Sequence, residues 1–150
     1  MQTNCVLLPP INEEDMALQE SDLAILEAAQ RYITLKQKEP ALLELTEDRL
    51  LSGTPGTVYL KKLGHRPLTS ADFENIVKAY GTDEDKRALT DFTQAKAELQ
   101  ERLNNTRSIG LVLEQAELTK NEFYYRVKQS DRWKPEEIVK VMEVLDRLRI

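Results

Sequence analysis

The sequence predicts an all-α fold, a helical bundle, and three observations carry that prediction. Glycine and proline are scarce, with five and six copies in 150 residues, while Leu, Glu, Lys, Gln and Ala favour helices over sheets. Apolar residues recur three and four positions apart over most of the chain, which places them on one helical face. Threonine followed three residues later by a carboxylate opens several of these runs, at Thr69/Asp72, Thr82/Asp85 and Thr119/Glu122. In that pattern the hydroxyl and the carboxylate each satisfy a backbone N–H at the helix start.

Element by element, residues 1–12 read as an extended lead-in, because Pro9-Pro10 blocks a helix. A helix is expected from about Glu13 to Lys38, with Leu23, Leu26 and Ile33 on one face and Ile25, Ala29 and Tyr32 broadening it. Pro40 marks a boundary, and a second helix is expected over Ala41–Leu51, ended by Gly53, Pro55 and Gly56. Thr57–Leu63 is open between a strand through Val58-Tyr59-Leu60 and a short helix begun by Pro55. Leu68–Phe73 combines a capping box with staple spacing and starts a helix that Gly81 stops near Tyr80. Thr82–Asp85 starts a longer helix, ending at Asn104-Asn105, in which Leu89, Phe92, Leu99 and Leu103 lie at heptad spacing.

The last third is the most informative. Ile109, Val112, Leu113 and Ala116 form one apolar face, and a tight connection through Glu117 follows. A second helix is expected from Lys120 to Lys128, anchored inward by Phe123 and Val127, four residues apart. Its other face holds Lys120, Asn121, Tyr124, Tyr125 and Lys128, groups that can touch phosphates and base edges. A third helix starts at Pro135 with Glu136 and Glu137 in its first turn, where the helix dipole accounts for acids. Trp133 is spaced to staple onto Ile138, and Ile138, Val141, Met142, Leu145 and Leu148 form its buried stripe.

Charge is uneven. The net charge is −5, yet residues 1–52 hold ten acids and four bases, residues 57–105 balance at eight and eight, and residues 106–150 hold nine bases and eight acids. Lys120, Arg126, Lys128, Arg132 and Lys134 face only Glu122 and Asp131 in their stretch. So acidic a molecule binds nucleic acid weakly unless sequence recognition contributes. No apolar run is long enough to span a bilayer. The single cysteine, Cys5, makes no internal disulfide, which fits a reducing, cytoplasmic setting.

Catalytic and metal chemistry is not expected. The one histidine, His65, has no cysteine partner nearby in sequence, and pairing it with Ser52 or Ser70 would be arbitrary. Gly53–Gly56 lacks the Gly-Lys-Ser/Thr ending of a phosphate loop. No cofactor is implied.

Two short helices, a tight turn and a packing helix are the plan of a helix-turn-helix. Ser108–Lys128 (SIGLVLEQAELTKNEFYYRVK), followed by Trp133–Ile138 (WKPEEI), resembles the Cro/repressor-type, lambda-repressor-like family over about 40 residues. Three departures stand out: the family often has Gly at the turn where this chain has Glu117, it often has a small residue in the middle of the first motif helix where this chain has Leu113, and it usually buries an aliphatic near the position of Arg126. The resemblance implies a DNA-binding transcriptional regulator, as a dimer, with Thr119, Lys120, Asn121, Tyr124, Tyr125 and Lys128 near double-stranded DNA. Residues 1–105 would be an acidic helical region and 106–150 the DNA-binding part. The alternative is a helical protein-interaction or oligomerisation module without DNA contact.

An internal repeat would make 41–80 a degenerate helix-turn-helix, but two alignments compete for it, which is the mark of chance similarity. One pairs Thr57–Lys61 and Ile76–Lys78 with Glu122–Arg126 and Ile138–Lys140; the other pairs Leu68–Phe73 with Leu118–Phe123.

Overall fold

A computed structural model describes residues 20–148, and the expectations for residues 1–19, including Cys5 and the Pro9-Pro10 pair, lie outside them. Among the described residues there are eight α-helices, two short 3-10 turns and no strand. The helices are α1 Glu20–Lys36, α2 Glu39–Glu44, α3 Pro55–Lys62, α4 Ser70–Tyr80, α5 Asp83–Asn104, α6 Ile109–Gln115, α7 Lys120–Lys128 and α8 Pro135–Leu148.

The capping boxes form as their spacing requires. Thr69 Oγ1 accepts the Asp72 N–H and Asp72 Oδ2 accepts the Thr69 N–H, both at 3.1 Å. Thr82 and Asp85 exchange the same bonds at 3.1 and 3.0 Å, and Thr119 and Glu122 at 3.1 and 3.0 Å. Each such cap contributes about 1 kcal/mol. The ambiguous 57–63 segment is helical: Pro55 occupies the first turn of α3 and Thr54 caps it by accepting the Thr57 N–H.

Two expectations are corrected. The helix expected over Ala41–Leu51 stops at Glu44, and a 3-10 turn follows at Asp48–Leu50. Thr46 Oγ1 donates to the Leu42 carbonyl, and Lys62 Nζ donates to the Thr46 carbonyl, so side chains take acceptors that a longer helix would use. In α1 the buried stripe is Asp22, Ile25, Ala28, Ala29 and Leu35, whereas Leu23, Leu26 and Ile33 are half-buried.

The chain divides into two compact units, and the division falls inside α1 and α5. In the Ala28–Ala95 unit, Leu35, Leu42, Leu51, Val58, Phe73, Ile76, Val77, Ala88 and Leu89 form one core, with Tyr32, Leu43, Leu68 and Tyr80 packed on it. The Tyr32 ring stacks on Phe92 at 4.0 Å and meets Phe73 edge-on at 5.9 Å. Across this unit's α3 and α4, Lys61 Nζ lies 2.6 Å from Asp72 Oδ2, both side chains being almost fully buried.

The other unit takes residues 20–27 and 96–148 of the described chain. Here Leu99, Leu103, Val112, Leu113, Trp133, Ile138, Val141, Met142 and Leu145 are buried, and α6 packs on α8. The indole N–H of Trp133 donates to Gln100 Oε1 at 3.3 Å, and Arg102 Nε bonds both oxygens of the buried Asp22 at 3.1 Å. The heptad-spaced Leu89, Phe92, Leu99 and Leu103 of α5 are all turned inward.

Candidate nucleic-acid interface

The site is built on α6, the turn after it, α7 and the start of α8. The turn closes α6 with two bonds, from the Glu117 N–H to the Glu114 carbonyl at 3.1 Å and from the Leu118 N–H to the Leu113 carbonyl at 2.9 Å. That is the Schellman arrangement, which needs a left-handed residue between the helix end and Leu118. Glu117 supplies it, with φ +62°, and is the only non-glycine residue with positive φ among the described residues. The departure from the family pattern at Glu117 therefore falls on a position whose backbone favours glycine.

Glu117→Gly should stabilise the protein by about 1 kcal/mol, because the Cβ clash disappears. The Glu117–Lys140 ion pair that would be lost, at 2.9 Å, is largely exposed and offsets only part of the gain. Thermal unfolding checks it; a lower melting temperature would contradict the strain argument.

Immediately after the turn, Thr119 starts α7 as its cap, so its hydroxyl already serves as an acceptor within the protein. The same box holds the Glu122 carboxyl below its usual range, first through the Thr119 N–H. Lys120, Asn121, Tyr124, Tyr125 and Lys128 are all exposed, Tyr124 and Tyr125 at 61% and 58%. Asn121, Tyr124, Tyr125, Lys128 and Gln129 line one shallow surface depression of about 610 Å³. Arg132 lies over the Tyr125 ring at 5.0 Å, adding a cation to its rim. All six residues singled out in the sequence thus lie on one short helix and its cap, open to solvent.

The underside of α7 differs from expectation. Val127 is 40% exposed and Phe123 only half-buried, so the anchoring pair Phe123/Val127 is corrected. Arg126 takes the inward position. Its guanidinium forms a two-pronged bond with Glu137, at 2.9 and 2.6 Å, and also donates to the Glu122 carbonyl at 2.9 Å. It lies 5.7 Å from the centre of the Trp133 ring. Glu137 also accepts the Lys134 N–H at 3.0 Å, so it caps α8 and clamps α7 together. In the sequence, the place of Glu137 in the first turn of α8 points to the helix dipole alone. Its pairing with Arg126 is not legible in the sequence because the two residues lie on different helices, which no periodicity relates.

His65 is exposed beyond the end of α3, and no cluster of metal-ligating side chains occurs among the described residues. Ser52 is engaged with Lys61 and Asp72 rather than with His65. No helix among the described residues is long and apolar enough to cross a membrane. Compared with protein-family models, curated proteins and solved structures, the chain matches none.

Proposed function

We propose that α6 and α7 act as a helix-turn-helix of Cro/repressor type and that the chain is a sequence-specific DNA-binding regulator. The observation that carries this reading is the face of α7: Lys120, Asn121, Tyr124, Tyr125 and Lys128 are all exposed on a helix clamped from behind by Arg126 and Glu137. A nine-residue helix of this kind fits the major groove. Asn121 can form a bidentate pair with adenine, the tyrosines can donate to phosphate or pack on sugar and thymine methyls, and the lysines attract phosphates. The overall charge of −5 opposes indiscriminate binding, so base contacts must supply much of the affinity. A dimer would place two copies of α7 about one helical turn apart on pseudo-palindromic DNA.

The test is the double change Lys120→Glu with Lys128→Glu. Affinity for a duplex selected from a random pool should fall at least about tenfold, and the slope of log affinity against log salt should shrink by about two. Both side chains are exposed, so helix content should hold. Unchanged retention on duplex DNA at low salt would refute the proposal.

A protein-interaction module is the second reading. It is favoured by Leu111 and Val127, 45% and 40% exposed on α6 and α7. On that reading the wild-type chain binds no duplex, and Val127→Glu abolishes association between copies or with a partner protein.

A further inference from the structure

Two successive sets of four helices along the chain repeat one plan. Each runs through a long helix, two short ones and a medium one: α1–α4 have 17, 6, 8 and 11 residues, and α5–α8 have 22, 7, 9 and 14. The register agrees as well. α3 begins at Pro55 and α7 at Lys120, while α4 begins at Ser70 and α8 at Pro135, so both intervals are 65 residues. The threonine caps of α3 and α7, Thr54 and Thr119, keep the same interval.

A tertiary feature repeats too. Lys61 bonds Asp72 at 2.6 Å, and Arg126 bonds Glu137 at 2.6 Å; 65 residues separate both the cations and the carboxylates. Each carboxylate also accepts the backbone N–H three residues before it, from Thr69 at 3.1 Å and from Lys134 at 3.0 Å. An ion pair and a cap recurring in one register are beyond the reach of generic helix packing. Of the two sequence alignments, the pairing of Thr57–Lys61 with Glu122–Arg126 has this register. Its second half, Ile76 with Ile138, is three residues out, since Phe73 is the counterpart of Ile138.

We propose that α3 is a second DNA-facing helix, the counterpart of α7, and that it grips the phosphate backbone rather than reading bases. The proposal rests on the reading of α7 as a duplex-binding helix. Charge adds an argument at one residue. Between Asp48 and Asp72 the chain holds Arg49, Lys61, Lys62 and Arg66 and no acid; Arg49, Lys61 and Lys62 pair with Glu47, Asp72 and Asp48, whereas Arg66 meets only a hydroxyl, that of Thr57, among the described contacts. The stretch around α7 is the other basic segment of the chain. Tyr59 stands where α7 has Tyr124, and the two are 64% and 61% exposed. Arg66 is exposed beyond the end of the same helix, while Lys62 is engaged with the Thr46 carbonyl and Asp48. Gly56 stands where α7 has Asn121, and Leu60 where it has Tyr125. The α3 face therefore keeps phosphate-binding groups and lacks the amide that pairs with adenine.

The test uses the full chain, duplexes selected from a random pool, and binding measured over a range of salt. Tyr59→Ala with Arg66→Glu should weaken binding by about tenfold or more on every duplex alike, with a salt slope smaller by one or two and the ranking of sequences kept. Asn121→Ala should instead flatten the ranking and leave the salt slope in place. Arg66→Gln, which touches nothing buried, should lower the slope by about one and serves if the double variant loses helix content. Wild-type affinity and slope in both α3 variants, with DNA binding still lost in Lys120→Glu/Lys128→Glu, would overturn the role of α3 and leave that of α7 standing. A wild-type chain that binds no duplex would overturn both.

Discussion

Replacing Lys61 by methionine should cost the protein about 3–5 kcal/mol of stability, the usual penalty for removing one partner of a buried ion pair. Asp72 is 0% exposed and Lys61 4%. Lys61 Nζ donates to Asp72 Oδ2 at 2.6 Å and to the carbonyl and hydroxyl of Ser52 at 2.9 and 3.1 Å, so all three of its protons are used. Asp72 also accepts the Ser52 N–H at 2.9 Å and the Thr69 N–H at 3.1 Å. Without Lys61 the carboxylate stays buried with its charge uncompensated. Asp72→Asn should be nearly as harmful, because it strands the ammonium instead. The double change Lys61→Met with Asp72→Leu should cost less than the sum of its parts, although the Ser52 and Thr69 N–H groups then lose their acceptor. Urea unfolding of the four proteins checks this, and additive losses would contradict it.

The same pair sets an acid dependence. Burial pushes the Asp72 carboxyl up, but the Lys61 ammonium and the Ser52 and Thr69 N–H groups outweigh it and hold the group well below the usual carboxylate range. At neutral pH the carboxyl is ionised in both folded and unfolded chains, and its stabilisation is fully present. Below about pH 4 the unfolded chain takes up the proton first, so stability falls as pH falls further. In Asp72→Asn that contribution to the acid slope should vanish, which unfolding measured across this range would show.

Trp133→Ala should be comparably severe, at about 3–5 kcal/mol for a large buried aromatic. Trp133 is 2% exposed. Its removal would empty its buried site beside α8, leave Gln100 Oε1 without the indole N–H, and strip the ring from the Arg126 guanidinium. The last effect reaches α7, because Arg126 is held between that ring and Glu137. If α7 binds duplex DNA as proposed, a lowered melting temperature should therefore come with a loss of duplex affinity larger than unfolding alone explains. Trp133→Phe keeps a ring and should lose only about 1–3 kcal/mol, mainly from the unsatisfied Gln100 oxygen. A melting temperature for Trp133→Ala within a degree or two of the wild type would show that this ring is not a keystone of its unit.

Much of this architecture was readable because its signals are local. Helix starts at Thr69, Thr82 and Thr119 are decided by hydrogen bonds between partners only three residues apart in the sequence. The exposed face of α7 was legible for a related reason: a run of Lys, Asn and Tyr at helical spacing has no apolar partner to seek. The glycine-favouring turn was legible as a position, and only the backbone revealed that Glu117 bears its strain.

What tertiary structure decided is which face of each helix turns inward and which charges can be buried. One residue along a helix is a rotation of about 100°, so Arg126 and Val127 compete for the inward position of α7, and intrinsic hydrophobicity favours valine. Glu137 reverses that preference: from the first turn of α8 it offers both oxygens to the Arg126 guanidinium, while one of them also accepts the Lys134 N–H. Lys61 is buried for the same reason, opposite Asp72. A charge enters a core only where its counter-charge is already waiting, and that meeting belongs to the folded chain.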